Sequence, residues 1–239
     1  MPFSSFTKYP RLAFLARLGS REIWLIAALC VASGLILGFG MLAEEVLEGD
    51  TARFDARVMA AFRAAGDPAL FDPIGPVWLE EAARDVTSLG SFAFLGLVTA
   101  ATACYLLLVR KHALALMIVI AAVGGALIST GLKIGFDRPR PDLPHLARVF
   151  TASFPSGHAT LSAVVFLTLG ALLARAEEKR RVKGFFVGLA VFLTVAVGLS
   201  RIYLGVHFPS DVLAGWCLGA AWATLCWAGA AWLRVGNGE

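Results

Sequence analysis

Long apolar runs alternate with short polar segments along the whole 239-residue chain. An α-helix needs about 20 predominantly apolar residues to cross a bilayer. The runs in this chain have about that length, so they predict an all-α integral membrane bundle with six transmembrane helices. The predicted spans are residues 23–43, 89–109, 113–132, 158–174, 185–204 and 212–233.

The composition supports this prediction. Hydrophobic residues make up 58% of the chain and charged residues 16%, and the mean hydropathy is +0.75. A soluble domain would carry about a quarter charged residues, so an ordinary soluble protein is excluded. We expect a single membrane-embedded domain over residues 1–239. The net charge of +4 is spread over short loops, which indicates membrane topology and not nucleic-acid binding.

Lysine and arginine are concentrated in three segments on one side of the six-span plan. These segments are residues 8–21, Arg110 with Lys111, and residues 175–183. Short loops rich in Lys and Arg stay in the cytoplasm, so we expect both termini on that side. The outer side then receives residues 44–88, 133–157 and 205–211.

The first outer segment is long and acidic. It contains the stretch FDARVMAAFRAA (54–65), in which one face of a helix would carry Phe54, Val58, Phe62 and Ala65. The pattern predicts a short amphipathic helix. This helix either lies at the outer membrane surface or caps the bundle.

Three polar stretches interrupt the apolar pattern. They are KIGFDRPRP (133–141), FPSGH (154–158) and SRIYLGVHFPSD (200–211). A charge within a bilayer costs at least about 2.5–3.5 kcal/mol, so charges so close to the spans need a partner or a function. All three stretches open on the outer side, and a bundle can therefore bring them together.

The first stretch supplies the cations Lys133, Arg138 and Arg140. Arginine offers a rigid fork of donors that suits phosphate oxygens, and lysine acts as a compact point charge. Cations beside a membrane also bind lipid headgroups passively. For Arg138 and Arg148, that interpretation is at least as good as a catalytic one.

The other two stretches add an anion-binding helix end and two histidines. Gly157 stands at the start of the fourth span, where free backbone N–H groups bind anions, and His158 follows it. In the third stretch His207 and Asp211 are four residues apart. A carboxylate beside an imidazole keeps one ring nitrogen protonated and leaves the other free to react. Alternatively, Asp211 caps the sixth span.

Together these groups suit phosphoryl transfer. One histidine can be the nucleophile and the other the general acid, while cations neutralise the phosphate oxygens. A metal site is the chemical rival, but the neighbouring Lys and Arg residues would repel a divalent cation. We therefore expect neither a metal nor another cofactor. His112 and His145 have no partner in this scheme, and the four cysteines (Cys30, Cys104, Cys217 and Cys226) are interpreted as small buried hydrophobic residues.

The spacing of the three stretches resembles the type 2 phosphatidic acid phosphatase family, which shares its active site with vanadium haloperoxidases. The pattern is lysine, six residues and Arg-Pro; then PSGH; then Ser-Arg, three residues, Gly, one residue, His, three residues and Asp. All three motifs are complete and in order over residues 133–211. The six-span plan extends the resemblance over most of the chain.

The resemblance implies a role for each matching residue. It implies that His207 attacks phosphorus to form a phosphohistidine, that Asp211 orients His207, and that His158 protonates the leaving oxygen and later activates water. The implied phosphate-binding groups are Lys133, Arg140, Arg201 and the backbone N–H groups of Ser156 and Gly157. The family needs no metal.

We therefore expect a lipid phosphatase of a bacterial inner membrane, with its site on the periplasmic side. Undecaprenyl pyrophosphate is the favoured substrate, and phosphatidylglycerol phosphate, phosphatidic acid and lipid A phosphate remain open. A lipid phosphotransferase would use the same histidine intermediate. A transporter or headgroup-binding protein without catalysis would instead tolerate the loss of His207.

Overall fold

A computed structural model describes residues 20–64, 72–141 and 151–236. Within these ranges the chain forms eight α-helices, and its only β-structure is an isolated bridge between Arg63 and Pro73. The all-α prediction is therefore confirmed. The helices are α1 (Ser20–Glu48), α2 (Ala52–Ala61), α3 (Val77–Ser88), α4 (Phe92–Leu108), α5 (His112–Phe136), α6 (Gly157–Ala176), α7 (Arg180–Tyr203) and α8 (Pro209–Gly236).

Five of these helices, α1, α5, α6, α7 and α8, are each long and apolar enough to cross a membrane. Helices α3 and α4 meet at an angle of 46° and supply a sixth span when they are counted together. The described residues thus contain the six predicted spans, but the second one is longer than residues 89–109. Helix α3 was missed because its acidic and basic residues, such as Glu81 and Arg84, give a pattern typical of a loop.

The C-terminal end of α5 also differs from the prediction. The span was expected to end at residue 132, whereas α5 continues to Phe136. It ends there because Asp137 adopts a left-handed conformation with φ 41°, and because Arg138 precedes a proline, which disfavours helical geometry. Lys133 therefore lies in the last turn of α5 and not in a loop.

The predicted amphipathic helix at residues 54–65 is present as α2, and its packed face agrees with the prediction in part, since Val58 and Phe62 pack against the bundle. Asp55 and Met59 are buried, whereas Phe54 is 46% exposed. Met59 packs with Ile202 and Val212 at the end of the bundle, so α2 caps the bundle. Ala65, the last residue of the predicted face, lies outside the described residues.

Helix α6 is central, since it packs against α5, α7 and α8. It approaches α8 closely at Gly215 and Gly219. A Cβ atom on Gly219 would lie 2.3 Å from the carbonyl oxygen of Thr160, so only glycine permits this approach. The contact holds the N-terminal ends of α6 and α8 side by side, and these ends carry His158 and Asp211.

The cysteines are free, and none of them is fully buried. Cys30 and Cys104 are exposed, while Cys217 and Cys226 are partly buried. The expectation of burial was therefore wrong for Cys30 and Cys104. Both lie on helix faces whose neighbours are exposed apolar side chains, where lipid and not protein would surround them.

Candidate active site

The three motif stretches meet at one end of the bundle, as the predicted topology requires. Arg140 contacts His207, Arg138 contacts Asp211, and the backbone N–H of Ser156 donates to the Asp211 carbonyl at 3.0 Å. These three contacts join segments that lie more than 50 residues apart in the chain.

His207 is 1% exposed and lies between α7 and α8. Its Nε2 atom is 3.1 Å from Nη1 of Arg140. A guanidinium group can only donate hydrogen bonds, so Nε2 must accept and the ring proton must reside on Nδ1. The Nδ1 atom faces Oγ of Ser153 at 3.2 Å and Oδ2 of Asp211 at 3.5 Å. In this tautomer the lone pair on Nε2 is the one available for attack.

Asp211 is fully buried, and each of its oxygens is engaged. Oδ2 accepts hydrogen bonds from the Ser153 hydroxyl and from the Phe208 N–H, the latter at 2.9 Å. Oδ1 accepts from Nη1 of Arg138 at 2.6 Å. The bond to Phe208 runs from the first turn of α8 back to the residue before the helix, as in one half of a capping box. Asp211 thus caps the N-terminal end of its own helix and also lies beside Nδ1 of His207.

Ser153 is a site residue that the sequence did not reveal. Its hydroxyl is fully buried between the imidazole of His207 and the carboxylate of Asp211. Because the direct distance from Nδ1 to Oδ2 is at the outer limit for a hydrogen bond, Ser153 supplies the shorter connection. Its position two residues before Pro155 was the only available signal.

Lys133 and Arg140 donate to backbone carbonyl groups. Nζ of Lys133 contacts the carbonyl oxygens of Ala152 and Ser153. Nε of Arg140 donates to the carbonyl of Thr151, and Nη1 to that of Val206, each at 2.7 Å. Neither cation has a carboxylate within 4.0 Å among the described residues. Their positive charges are therefore available to an anion.

Arg201 is 4% exposed, and its charge is also unpaired within the part of the chain that the structure describes. Its Nη1 donates to the Thr87 hydroxyl at 3.0 Å, and its Nε is buried without a partner. A buried charge with an unsatisfied N–H is costly. An anion in the site would pair with the charge of Arg201 and accept a hydrogen bond from its Nε.

His158 occupies the first turn of α6 and packs against Gly90, at the bend between α3 and α4. A Cβ atom on Gly90 would lie 3.2 Å from Cδ2 of His158 and 2.4 Å from Val197. His158 also interacts electrostatically with Arg201 and His207. Both predicted histidines therefore belong to a single site.

The implied role of Ser156 needs a correction. Its backbone N–H donates to the Asp211 carbonyl and is not free for phosphate. Its hydroxyl, by contrast, is buried and has no hydrogen-bond partner among the described residues. Gly157 begins α6 beside Lys133, since a Cβ atom there would lie 3.5 Å from Cε of Lys133. The helix end thus remains next to the cations even though Ser156 contributes differently.

Burial lowers the pKa of both His207 and Arg140 but changes the charge of His207 alone. It lowers the pKa of His207 to about 3, although Asp211 opposes the shift, so the imidazole is neutral at physiological pH. Burial also lowers the pKa of Arg140, again opposed by Asp211. Arginine starts from a pKa above 12, so Arg140 remains a cation. A neutral imidazole thus faces a cationic guanidinium group.

A cavity of about 410 Å³ adjoins Lys133. It is bounded by the start of α4, the end of α5 and residues 151–152. Its lining combines hydroxyl groups with apolar side chains, one cation and one carboxylate. The lining residues are Phe92, Ser129, Thr130, Lys133, Ile134, Asp137, Thr151 and Ala152. Such a cavity can receive the group attached to a bound phosphate.

The other charged residues and histidines singled out in the sequence do not join this cluster as free cations or metal ligands. Arg138 is paired with Asp55 at 3.0 Å and with Asp211 at 2.6 Å, so its charge is not free for a lipid headgroup. Arg148 and His145 lie outside the described residues, as do Lys8, Arg11 and Arg17. Among the described residues, no group of three His, Cys, Asp or Glu side chains is arranged to hold a metal ion.

A helical membrane bundle with histidines and cations clustered at one end suits phosphoryl-transfer chemistry at a membrane. Residues 112–234 match the PAP2 superfamily. The chain belongs to that family, which confirms the resemblance found in the motifs. The protein is therefore a multi-pass membrane phosphatase of a family that acts on lipid phosphates.

Known relatives and a solved structure agree with this assignment. The chain is 33% identical over 147 residues to phosphatidylglycerophosphatase B from Bacillus subtilis, covering 59% of this chain and 70% of the relative. It is 41% identical over 68 residues to an undecaprenyl-diphosphatase from Sulfolobus acidocaldarius, covering 28% and 29%. The crystal structure of a transmembrane PAP2-type phosphatidylglycerolphosphate phosphatase from Bacillus subtilis superimposes with a TM-score of 0.72, at 28% identity, over 82% of this chain and 93% of that one.

Proposed function

We propose that the protein hydrolyses the terminal phosphate of a membrane lipid, with Nε2 of His207 as the nucleophile. The observation that carries this proposal is the hydrogen bonding of His207. Arg140 contacts Nε2, while Ser153 and Asp211 lie at Nδ1. This arrangement fixes the tautomer in which Nε2 can attack, next to a cation that suits the phosphate under attack.

The first step forms a bond from Nε2 of His207 to phosphorus and breaks the bond from phosphorus to the lipid oxygen. His158 takes up a proton when the phosphate anion binds beside it and donates this proton to the leaving oxygen, so the lipid departs as a neutral hydroxyl or, from a pyrophosphate, as a protonated monophosphate. Asp211 stabilises the positive charge that develops on the His207 ring. The enzyme is left with a phosphohistidine.

The second step reverses these roles. His158, now unprotonated, takes a proton from water as the water oxygen attacks phosphorus. The bond from phosphorus to Nε2 breaks, inorganic phosphate leaves, and His207 returns to its neutral form. Both histidines thus regain their starting protonation states, and no metal is required at either step.

Three cations hold the phosphate oxygens during both steps. Arg140 exchanges its contact with Nε2 of His207 for a phosphate oxygen. Arg201 uses the buried Nε that lacks a partner, and Lys133 releases backbone carbonyl groups. Fixed positive groups that face developing negative charge supply much of the catalysis in such sites.

The cavity beside Lys133 favours a phosphomonoester over a pyrophosphate. Among the residues that the structure describes, its lining carries hydroxyls with a single cation, Lys133, and a single carboxylate, Asp137. A pyrophosphate would bring a second phosphate into this nearly neutral space, whereas a glycerol headgroup would find hydroxyl partners. Phosphatidylglycerol phosphate is therefore our leading substrate, and undecaprenyl pyrophosphate, which the sequence favoured, is the second candidate.

The site is expected on the periplasmic side of a bacterial inner membrane. Exposed basic residues, among them Arg110, Lys111 and Lys179, lie in the connections at the opposite ends of the spans. The tendency of such residues to remain in the cytoplasm supports this orientation.

Phosphate release by the purified protein in detergent tests the proposal. Wild type should release inorganic phosphate from phosphatidylglycerol phosphate without an added acceptor, and EDTA should leave the rate unchanged. His207→Gln and His158→Gln should each lose at least about 10³-fold in kcat. The exposed variant Arg84→Gln is the matched control and should keep the wild-type rate. A His207→Gln protein with full activity, or a strict requirement for Mg²⁺, would contradict the proposal.

A further inference from the structure

Asp55 is a buried carboxylate that none of the three motifs includes. It belongs to the short helix α2 and is 1% exposed. Its Oδ1 accepts a hydrogen bond from the Ser210 N–H at 2.9 Å, and its Oδ2 accepts from the Ser210 hydroxyl at 2.7 Å. Ser210 is the second residue of α8, where backbone N–H groups lack partners within the helix. Asp55 therefore caps the N-terminal end of α8 from a different helix.

Arg138 connects this cap to the carboxylate beside the proposed nucleophile. Its Nη2 lies 3.0 Å from Asp55, and its Nη1 lies 2.6 Å from Asp211. The guanidinium carbon also lies 4.3 Å from the centre of the Phe208 ring. A planar fork can contact two carboxylates at once in a fixed geometry, which a lysine ammonium cannot do.

Both carboxylates are buried, so each of them needs a cation and hydrogen-bond donors at close range. Asp211 and Asp55 are 0% and 1% exposed, and Arg138 is the cation that pairs with both. Buried carboxylates are stable only when they are paired and hydrogen-bonded. Because Arg138 holds Oδ1 of Asp211, Oδ2 remains turned toward Ser153 and His207.

We propose that Asp55 and Arg138 act as a positioning pair, which fixes the orientation of Asp211 and, through it, of the His207 ring. The proposal rests on the function proposed above. It gives helix α2 a role in positioning the catalytic groups, although α2 precedes the region that matches the family. Asp55 and Arg138 do not touch the phosphate in this scheme, since the clamp of Lys133, Arg140 and Arg201 is separate.

The kinetic consequence is specific. Loss of the pair should lower kcat, because a misplacement of about 1 Å at a reacting group costs about 10²-fold. It should leave KM and the inhibition constant of inorganic phosphate within about threefold of wild type, since the phosphate clamp is intact. A residue that bound the substrate directly would raise both constants.

Four variants test this, with phosphatidylglycerol phosphate as substrate. Asp55→Asn keeps the shape of the side chain and should lower kcat about tenfold, and Arg138→Gln about 100-fold. Arg138→Lys should restore only part of the rate, since an ammonium cannot reproduce the fork. The double variant Asp55→Asn/Arg138→Gln removes both charges of one pair and so avoids a second unpaired buried carboxylate. It should fold, as judged by its melting temperature in detergent, and should remain slow.

The pair of Glu80 and Arg84, 2.5 Å apart on α3, supplies the matched control, because Arg84→Gln breaks an ion pair that lies outside the three motifs and is separate from Asp55 and Arg138. A folded double variant with wild-type kcat would overturn the positioning role. So would an Arg138→Gln protein whose defect lies in KM and phosphate affinity while kcat is unchanged. Neither result would bear on the proposed function, which is tested separately by the activity of His207→Gln in the same assay.

Discussion

The side chain of Arg140 donates a hydrogen bond to Nε2 of His207, with 3.1 Å between the two nitrogen atoms. Arg140, which is proposed to bind the phosphate, is thus hydrogen-bonded to the lone pair of His207 that is proposed to attack it. The two groups satisfy one another in the absence of ligand, which lowers the cost of burying both. A phosphate that enters the site separates them, because it gives Arg140 an oxygen partner and His207 a phosphorus atom.

Orthovanadate should inhibit the enzyme competitively, because it can take the place of the phosphate between His207 and the cations. Because vanadate binds only the folded state, it should also raise the melting temperature in detergent. At a vanadate concentration of 100 times the Kd, the free energy of unfolding should rise by about 2.7 kcal/mol. Arg201→Gln removes the buried N–H that lacks a partner and should weaken inhibition at least about tenfold. Vanadate that neither inhibits nor stabilises the wild type at millimolar concentration would refute the cationic clamp.

Ser153→Ala should lower kcat by about 10-fold or more, with little change in KM. The hydroxyl joins His207 to Asp211, and a hydrogen bond to a charged group contributes about 1.5–3 kcal/mol. Steady-state phosphate release measures the effect. Ser162→Ala is the control, since its buried hydroxyl bonds only to a carbonyl within its own helix. Equal rates for both variants would show that Ser153 has no part in orienting the imidazole.

Gly90→Ala should displace His158 and lower kcat. The added Cβ would lie 2.4 Å from Val197 and 3.2 Å from His158, so one of these side chains has to move. Gly96→Ala is the matched control, because nothing lies within 4 Å of a Cβ at that position. Rates should be compared after both proteins are shown to be folded. A Gly90→Ala enzyme with wild-type kcat would mean that the position of His158 is not critical.

The stability of wild type should fall more steeply with decreasing pH than that of His207→Gln. Burial lowers the pKa of His207 from 6.5 to about 3. Below about pH 6.5 the unfolded chain therefore binds a proton that the folded protein does not, which costs about 1.4 kcal/mol for each further pH unit until the folded pKa is reached. Melting temperatures between about pH 7.5 and pH 4.5 measure the difference. Parallel curves would show that folded His207 takes up its proton at an ordinary pKa.

The motif residues could be predicted because they break a strong local pattern. His207, His158 and Lys133 lie close to long apolar runs, where a polar residue is costly enough to be noticed. Topology alone then placed their segments on one face, and the structure brings the three residues together. The six spans were predictable for the same reason, since a membrane helix is specified mainly by its own length and hydrophobicity.

The groups that support the motif residues were not predictable in this way. Asp55, Ser153 and Thr87 are ordinary residues of polar segments, and their importance depends on how the acidic outer segment packs onto the bundle. One signal was present for Asp55. It shares a helical face with Met59 and Phe62, so a carboxylate stands on the side that faces the protein. A buried acid on an amphipathic face indicates a buried cationic partner, and that partner is Arg138.

The most direct test of the account is the detection of the covalent intermediate. Wild type and His158→Gln should be mixed with lipid labelled in its terminal phosphate and quenched within milliseconds in alkali. We predict a protein-bound phosphoryl group that survives alkali, is lost in acid and maps to His207. In His158→Gln the phosphoryl group should persist longer than in wild type, because the base that activates water for hydrolysis is missing. It should be absent from His207→Gln. Labelled phosphate released by wild type with no label on His207 at any time, or by an active His207→Gln protein, would contradict the account.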